Sequence, residues 1–246
     1  MPNSAGPILA RLPAPQQGSR TPDNHLARCL DWIGSLGEAA TPAVPHLRDL
    51  LESGRAPRAA AAALARLGPV ATSAAAASLR ALLTASTDAV LRYHAAFGIW
   101  RATGDVSELV TLGRERIDVR RSSILLGYLE QAGAAADDLA PLLARHIAHG
   151  WEWDRVRTAR AYWKLTRDTE RVLSELLQLA DATPAGVAAI EALGWIGSPA
   201  LPIAPRLEEW LAQDTRLAGI GAMNNTVERD ETFRATAAAT LAAVTT

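Results

Sequence analysis

Apolar residues in this chain recur at the spacing of amphipathic helices. Between Val172 and Ala180, for example, apolar residues fill positions i, i+1, i+4, i+5 and i+8, which gives a helix a two-row apolar face. Alternating runs of Val, Ile and Thr are absent, and alanine, a strong helix former, makes up about a fifth of the chain. The pattern predicts an all-α protein.

The helices are predicted to come in pairs. Ala192–Leu211 has the pattern of a helix that ends at Gly197, a proline-rich turn, and a second helix that opens at Pro202. Glycine is typical just after a helix and proline at the start of one. We expect about six such pairs and a last helix over Asp230–Val244. The predicted pairs span about residues 26–52, 57–84, 88–117, 118–150, 151–181 and 183–213.

The pairs recur with a fixed period. The stretch LGEAATPAVPHL, which starts at Leu36, aligns without a gap with IGSPALPIAPRL, which starts at Ile196. Their glycines, residues 37 and 197, are 160 residues apart, which is five steps of 32. Glycines 68, 104 and 133 lie near the same grid, and residues 164–168 fill the position that lacks a glycine. A period of this length is typical of stacked repeat proteins.

Composition narrows the class of protein. The formal net charge of −1 does not indicate binding to nucleic acid or to an anionic membrane. A lone cysteine, Cys29, excludes an intrachain disulfide and a cysteine-rich zinc site. Without a signal pattern or an uncharged apolar run of 18 residues, a soluble cytoplasmic protein is expected. Met1–Asn24, rich in Pro, Gly, Ser and Gln, is predicted to be a flexible segment before a single repeat domain over 25–246.

The turns Gly37–Pro45 and Gly197–Pro205 place a glycine before Pro-x-x-Pro, and the helix openings Asp154–Arg157 and Asp118–Arg121 share Asp and Arg. In these features the chain resembles HEAT-repeat solenoids, of the short bacterial kind grouped with phycobilisome-lyase-type HEAT-like repeats, over about residues 26–244. The resemblance implies a right-handed α–α superhelix with the first (A) helix of each pair on the convex side and the second (B) helix on the concave side. It also implies a scaffold or adaptor, although a minority of such proteins are enzymes or lyases.

Charged residues at the helix openings are predicted to be structural. An Asp at a helix start can accept hydrogen bonds from free backbone N–H groups. An Arg a few residues later can reach the Asp of the adjacent repeat, which would form a ladder along the stack. We therefore assign Arg92, Arg120, Arg157 and Arg234 to such a ladder.

The predicted function is non-catalytic: a rigid concave platform that binds a protein or peptide. Arginines on the B helices alternate with Asp and Glu, and such mixed charge favours a protein partner over a phosphate backbone. A DNA-binding protein or DNA glycosylase, and a lyase or cofactor chaperone, are the alternatives. The predicted partner-binding residues are Arg48, Arg80, Arg114, Arg145, Arg171 and Arg206 on the B helices, with His149, Trp151 and Trp153 near the turn between the fourth and fifth pairs.

Two features of that turn have more than one interpretation. His146 and His149 have the i, i+3 spacing of metal ligands, but they also continue the apolar stripe of a helix. We predict no metal site, no cofactor and no catalytic residue in the chain. Trp151 and Trp153 could anchor a partner. They could instead fill the gap between adjacent repeats, and we favour this packing role because buried indoles provide a large contact area.

Overall fold

The structure is a computed structural model that describes residues 20–116, 123–217 and 226–246. Within these ranges the chain is helical and contains no strand, which confirms the all-α prediction. The helices are α1 (Arg20–Ser35), α2 (Val44–Glu52), α3 (Pro57–Arg66), α4 (Pro69–Ala85), α5 (Ala89–Thr103), α6 (Ser107–Arg116), α7 (Ser123–Ala132), α8 (Ala140–Ala144), α9 (Glu152–Thr166), α10 (Thr169–Leu179), α11 (Pro184–Ile196), α12 (Ala204–Ala212) and α13 (Thr226–Thr245). Short 3₁₀ helices over Gly37–Ala43, Gly133–Leu139 and Ser198–Ile203 precede α2, α8 and α12.

The helices form two compact units, residues 1–115 and 116–246. In the first unit, α1, α3 and α5 pack side by side, and α4 packs against both α2 and α5. In the second unit, α7, α9, α11 and α13 pack side by side, and α10 packs between α9 and α11. We call the odd-numbered helices A helices and the even-numbered helices B helices. The single domain expected over 25–246 stays a prediction.

Neighbouring A helices approach closely because small residues meet at their contacts. A Cβ added to Gly34 on α1 would lie 3.1 Å from the Cα of Ala63 on α3. On α11, a Cβ added to Gly194 would lie 2.9 Å from the hydroxyl oxygen of Thr240 on α13. The alanine-rich helix α3 is predicted to pack tightly, and its residues Ala60, Ala61 and Ala63 are fully buried.

The positions that repeat about every 32 residues share one backbone conformation, with positive φ. The glycines on the predicted grid all have positive φ, the region that residues with a side chain rarely adopt. At the position without a glycine, Arg167 takes this conformation, with φ 59°. The positive-φ glycines on the grid are Gly37, Gly68, Gly104, Gly133 and Gly197.

Some helix boundaries differ from the prediction. Helix α1 includes the residues from Arg20 onwards, six residues before the expected start at Leu26, and Pro22 lies near its N-terminal end, where proline is tolerated. The last helix is also longer than predicted, Thr226–Thr245. Of the sequence interpretations, the segment before residue 20 and the opening Asp118–Arg121, with Arg120, fall outside the described residues.

Helix α8 is much shorter than the helix that the apolar pattern predicts, which continues through Ile147. It ends at Ala144, and residues 145–150 form turns. The His146 N–H donates to the Leu143 carbonyl (2.8 Å) and the His149 N–H to the His146 carbonyl (3.0 Å), so three-residue spacing replaces the α-helical pattern. The two histidines therefore lie in a turn and not on a helical face.

Ion pairs do join neighbouring A helices, but the three predicted ladder residues that the structure describes, Arg92, Arg157 and Arg234, do not form them. Arg234 binds Asp230 of its own helix (2.8 Å), Arg157 lies over the Trp153 ring, and Arg92 faces Glu115 (3.8 Å). The prediction fails because the partner of a long side chain depends on the rotation of each helix, which the sequence spacing does not fix. The pairs that join neighbouring A helices are Arg66–Asp31, Arg58–Asp88, Arg160–Glu130 and Arg160–Glu191.

Candidate functional site

The turn between α8 and α9, with the first residues of α9, contains four of the nine predicted partner-binding residues: Arg145, His149, Trp151 and Trp153. All four are exposed, Trp151 to 78% and Trp153 to 41%. The favoured interpretation, that both tryptophans fill a gap between repeats, is therefore wrong. We refer to residues 145–153 as the tryptophan turn.

Helix capping holds the backbone of this turn in place. Trp151 is the N-cap residue of α9, with extended φ and ψ of −74° and 160°. Its carbonyl accepts a hydrogen bond from the Arg155 N–H (3.0 Å), and its N–H donates to the Asp154 carboxylate (3.4 Å). The cap uses only the backbone of Trp151, so its indole remains free to contact a partner.

The two histidines of the turn contact each other. Their ring centroids are 6.4 Å apart in an edge-to-face arrangement. A metal site needs further ligands, and over the described ranges no three His, Cys, Asp or Glu side chains are grouped to hold an ion. The arrangement is that of an aromatic contact between the two imidazole rings.

Trp153 borders a recess on the A helices of the second unit. The Arg157 guanidinium lies 4.9 Å from the centroid of the Trp153 ring. Beside this pair is a recess of about 200 Å³ between α7, α9 and α11, with Gly127, Val156 and Ala188 among its lining residues. The recess is of the order of one large side chain in size and is apolar over much of its wall.

The predicted arginines on the B helices are all exposed, and the structure gives some of them partners. The Arg48 Nε donates to the Ser78 hydroxyl (3.2 Å), and its guanidinium lies 3.8 Å from the Glu52 carboxylate. Arg80 on α4, Arg114 on α6 and Arg171 on α10 are also exposed. Because Arg48 lies beside a carboxylate, the B-helix surface of the first unit has mixed charge.

Arg206 has a structural role that the sequence did not indicate. Its guanidinium donates to the carbonyl of Leu177 (3.1 Å) and to that of Ala180, and it lies 4.8 Å from the Trp210 ring centroid. These carbonyls belong to the C-terminus of α10, where helices leave acceptors without a partner. Arg206 therefore caps the preceding B helix.

Sequence reasoning also missed Arg160, which joins three A helices. Its side chain, 17% exposed, donates to both oxygens of Glu130 on α7 (3.0 and 3.2 Å) and to Glu191 on α11 (2.9 Å). It also lies 4.3 Å from the centroid of the Trp195 ring. The signal that could have identified this cluster is its spacing, since the two carboxylates lie 30 and 31 residues from Arg160, close to the repeat period.

Two buried titratable groups lie within helix packing. Burial lowers the pKa of His94 on α5 to about 4. Burial also raises the pKa of Tyr162 on α9, as does its hydrogen bond to Asp168 (2.9 Å). The Sγ atom of Cys29, a half-buried residue, lies 3.5 Å from the His25 Nδ1.

Comparisons with protein-family models, with curated proteins and with solved structures find no match to this chain. In the ranges that the structure covers, none of the helices combines the length and apolar character that a membrane crossing requires. The inference about function therefore depends on the geometry of the tryptophan turn and of the helix surfaces.

Proposed function

We propose that this chain is a non-catalytic scaffold or adaptor that binds a protein or peptide. Its architecture would be a HEAT-like α-solenoid, a right-handed superhelix of about six helix pairs and a terminal helix. Three observations support this architecture: A and B helices alternate, A helices pack side by side within each unit, and a positive-φ turn recurs near every 32 residues.

The observation that carries the binding proposal is the exposure of Trp151. An indole that is 78% exposed leaves a large apolar area in water, and burial of this area against a partner would be favourable by about 25 cal/mol per Å². Tryptophan and arginine are the residues most enriched at the energetic centres of protein interfaces. Arg145 and Trp153 lie in the same turn, so it offers both types of residue.

Within each unit, the exposed B-helix arginines would add charged positions for contact with a partner. Arg48 lies within 4 Å of the Glu52 carboxylate, and the Arg206 guanidinium is occupied by backbone carbonyls. Such partners reduce the positive potential that a nucleic acid would require, whereas a protein can match mixed charge. A DNA-processing enzyme would show strongly salt-dependent DNA affinity, and a lyase or cofactor chaperone would retain a spectroscopically visible small molecule.

The proposal can be tested by capture of partners from the native host with three forms of the full chain. Wild type and Trp32→Ala should capture the same protein, whereas Trp151→Ala should weaken its capture by about tenfold or more, as for a central interface residue. Trp32 is a matched control, because it is a half-exposed indole (51%) on α1 of the other unit. Equal capture by all three forms, or no specific capture by wild type, would contradict the proposal.

A further inference from the structure

Helix α9 carries a row of four cations along one face. The residues are Arg157, Arg160, Lys164 and Arg167, at successive spacings of 3, 4 and 3, and α9 itself ends at Thr166. Residues three and four apart lie on the same side of a helix, and Arg167 follows directly as the C-cap residue. Lys164 is the single lysine among the 25 basic residues of the chain.

Tryptophan rings support this row. Lys164 Nζ lies 4.0 Å from the centroid of the Trp195 ring, and the Arg167 guanidinium lies 4.2 Å from that of the Trp163 ring. The two indoles stack with centroids 6.4 Å apart at an interplanar angle of 25°. Arg157 lies in the same way over Trp153. An indole face attracts a cation without neutralising it, so these contacts position the charges and preserve them.

Only one member of the row is paired with carboxylates. Arg160 binds Glu130 and Glu191. Among the residues whose side chains the structure describes, Arg157, Lys164 and Arg167 form no ion pair, although other arginines of the same unit, such as Arg155 and Arg234, each bind a carboxylate. The face of α9 therefore presents three positive charges that are available to a partner.

We propose that this face of α9 binds an acidic peptide segment of another protein. Carboxylates of the peptide would contact Arg157, Lys164 and Arg167, and one apolar side chain would occupy the 200 Å³ recess beside Arg157. The charge complementarity carries the proposal. It goes beyond the proposed function, because the cations of α9 carry it and Trp151 does not, although the two surfaces meet at Trp153.

The arrangement favours a peptide over a nucleic acid. Glu191, 49% exposed, lies beside Arg160 in the middle of the row. A nucleic acid carries a negative phosphate at every nucleotide and would place one near the Glu191 carboxylate. A peptide can present an uncharged residue at this position. The ten residue steps from 157 to 167 cover about 15 Å, which about five residues of an extended peptide would span.

The lone lysine allows a direct footprint of this surface. In the full chain, acetic acid N-hydroxysuccinimide ester modifies Lys164 and the N-terminal amine, and mass spectrometry of peptides reports each rate separately. The probe is a synthetic peptide of alternating glutamate and serine with one central phenylalanine. At a probe concentration about ten times its Kd, mass action predicts that Lys164 is acetylated about tenfold more slowly while the N-terminal amine is unaffected.

Matched variants keep Lys164 as the reporter. The double variant Arg157→Gln/Arg167→Gln should bind the glutamate peptide about tenfold more weakly, since each lost surface charge pair weakens binding several-fold. The control Arg28→Gln/Arg55→Gln removes the same charge from exposed positions of the first unit and should retain the protection of Lys164. Circular dichroism checks that both doubles keep the helical fold.

Four outcomes would overturn the proposal. The first is full reactivity of Lys164 in the presence of the glutamate peptide, and the second is equal protection by a peptide with glutamine in place of every glutamate. Stronger protection by a single-stranded DNA oligonucleotide of similar length would assign the row to phosphate. Protection that rises with protein concentration in the absence of a probe would assign it to a second copy of the chain. None of these results bears on partner capture through Trp151, so the two proposals fail separately.

Discussion

Gly34 on α1 and Ala63 on α3 bring two neighbouring A helices into backbone contact. A Cβ on Gly34 would lie only 3.1 Å from the Ala63 Cα, an atom that cannot rotate away as the end of a side chain can. Packed helices are usually about 8–10 Å apart, and contacts between Gly and Ala permit the lower end of this range. The absence of a side chain at Gly34 is thus a packing requirement of the first unit.

Gly34→Ala should therefore destabilise the protein. The new methyl group forces α1 and α3 apart, and we expect a net loss of about 1 kcal/mol after the better helix propensity of alanine is included. Gly127→Ala is the matched control, because Gly127 also lies inside a helix but its added Cβ would meet no atom within 4 Å. It should stabilise by about 0.5–1 kcal/mol. Urea unfolding measures both, and equal signs would contradict the assignment.

Replacement of Arg160 by methionine should be among the more destabilising changes in the second unit. It removes two ion pairs and leaves Glu130, only 21% exposed, without its cation, at an expected cost of about 2–3 kcal/mol. Arg48→Met removes an exposed pair with Glu52 and should change stability by less than about 1 kcal/mol. In chemical denaturation, Glu130→Gln should recover part of the loss in the Arg160→Met protein. A loss no larger than that of Arg48→Met would show that the cluster is not energetically coupled.

His94 should make stability fall in mildly acidic solution. Burial lowers its pKa from 6.5 to about 4; the charge of nearby Arg58 acts in the same direction and that of Asp88 in the opposite one. The unfolded chain therefore binds a proton between these values and the folded chain does not, so stability is full above 6.5 and is lost as the pH falls towards 4. We expect a loss of about 2 kcal/mol between pH 7 and pH 5.

Urea unfolding of wild type and His94→Gln across this pH range tests the assignment. The glutamine variant should lose this part of the pH dependence, whatever its stability at neutral pH. The pKa of Asp88 lies below its ordinary value of 3.8, since the Arg58 and backbone hydrogen bonds outweigh the effect of burial, so its titration falls at lower pH. Parallel pH profiles for the two proteins would show that another group is responsible.

The tryptophans of the second unit should separate into structural and surface classes. Trp163 is 8% exposed and stacks on Trp195, so Trp163→Ala should cost about 3–5 kcal/mol. Trp151→Ala should change the free energy of unfolding by less than about 0.5 kcal/mol, because its side chain is in solvent. Thermal unfolding followed by circular dichroism measures both. A large loss for Trp151→Ala would mean that its effect on partner capture reports unfolding.

The sequence predicts the helices well because glycine, proline and apolar spacing are local signals. The turn at Gly197 and Pro202 is predicted from these residues alone, and the period also locates the positive-φ position that Arg167 occupies. The sequence does not predict which side chains of a turn face solvent. The packing interpretation of Trp151 relies on the usual burial of indoles, whereas this side chain is 78% exposed at the N-cap of α9.

The candidate surface on α9 could be predicted only in part. The spacing of Arg157, Arg160, Lys164 and Arg167 is visible in the sequence, but whether each cation meets a carboxylate or an indole depends on the rotation of α7 and α11. Gly34 likewise has no local signal, since a glycine within a helix has the same sequence pattern whether it lies at a contact, as here, or in open space, as Gly127 does.

The three-helix link at Arg160 has a consequence for how the second unit unfolds. In arrays whose modules interact only with their neighbours, end modules can detach one at a time. Here the Arg160 guanidinium of α9 binds carboxylates of both α7 and α11. If either α7 or α11 detached, Arg160 would lose one of its two carboxylate partners. The segment from Glu130 to Glu191 should therefore melt as one cooperative block, without stepwise fraying of its helices.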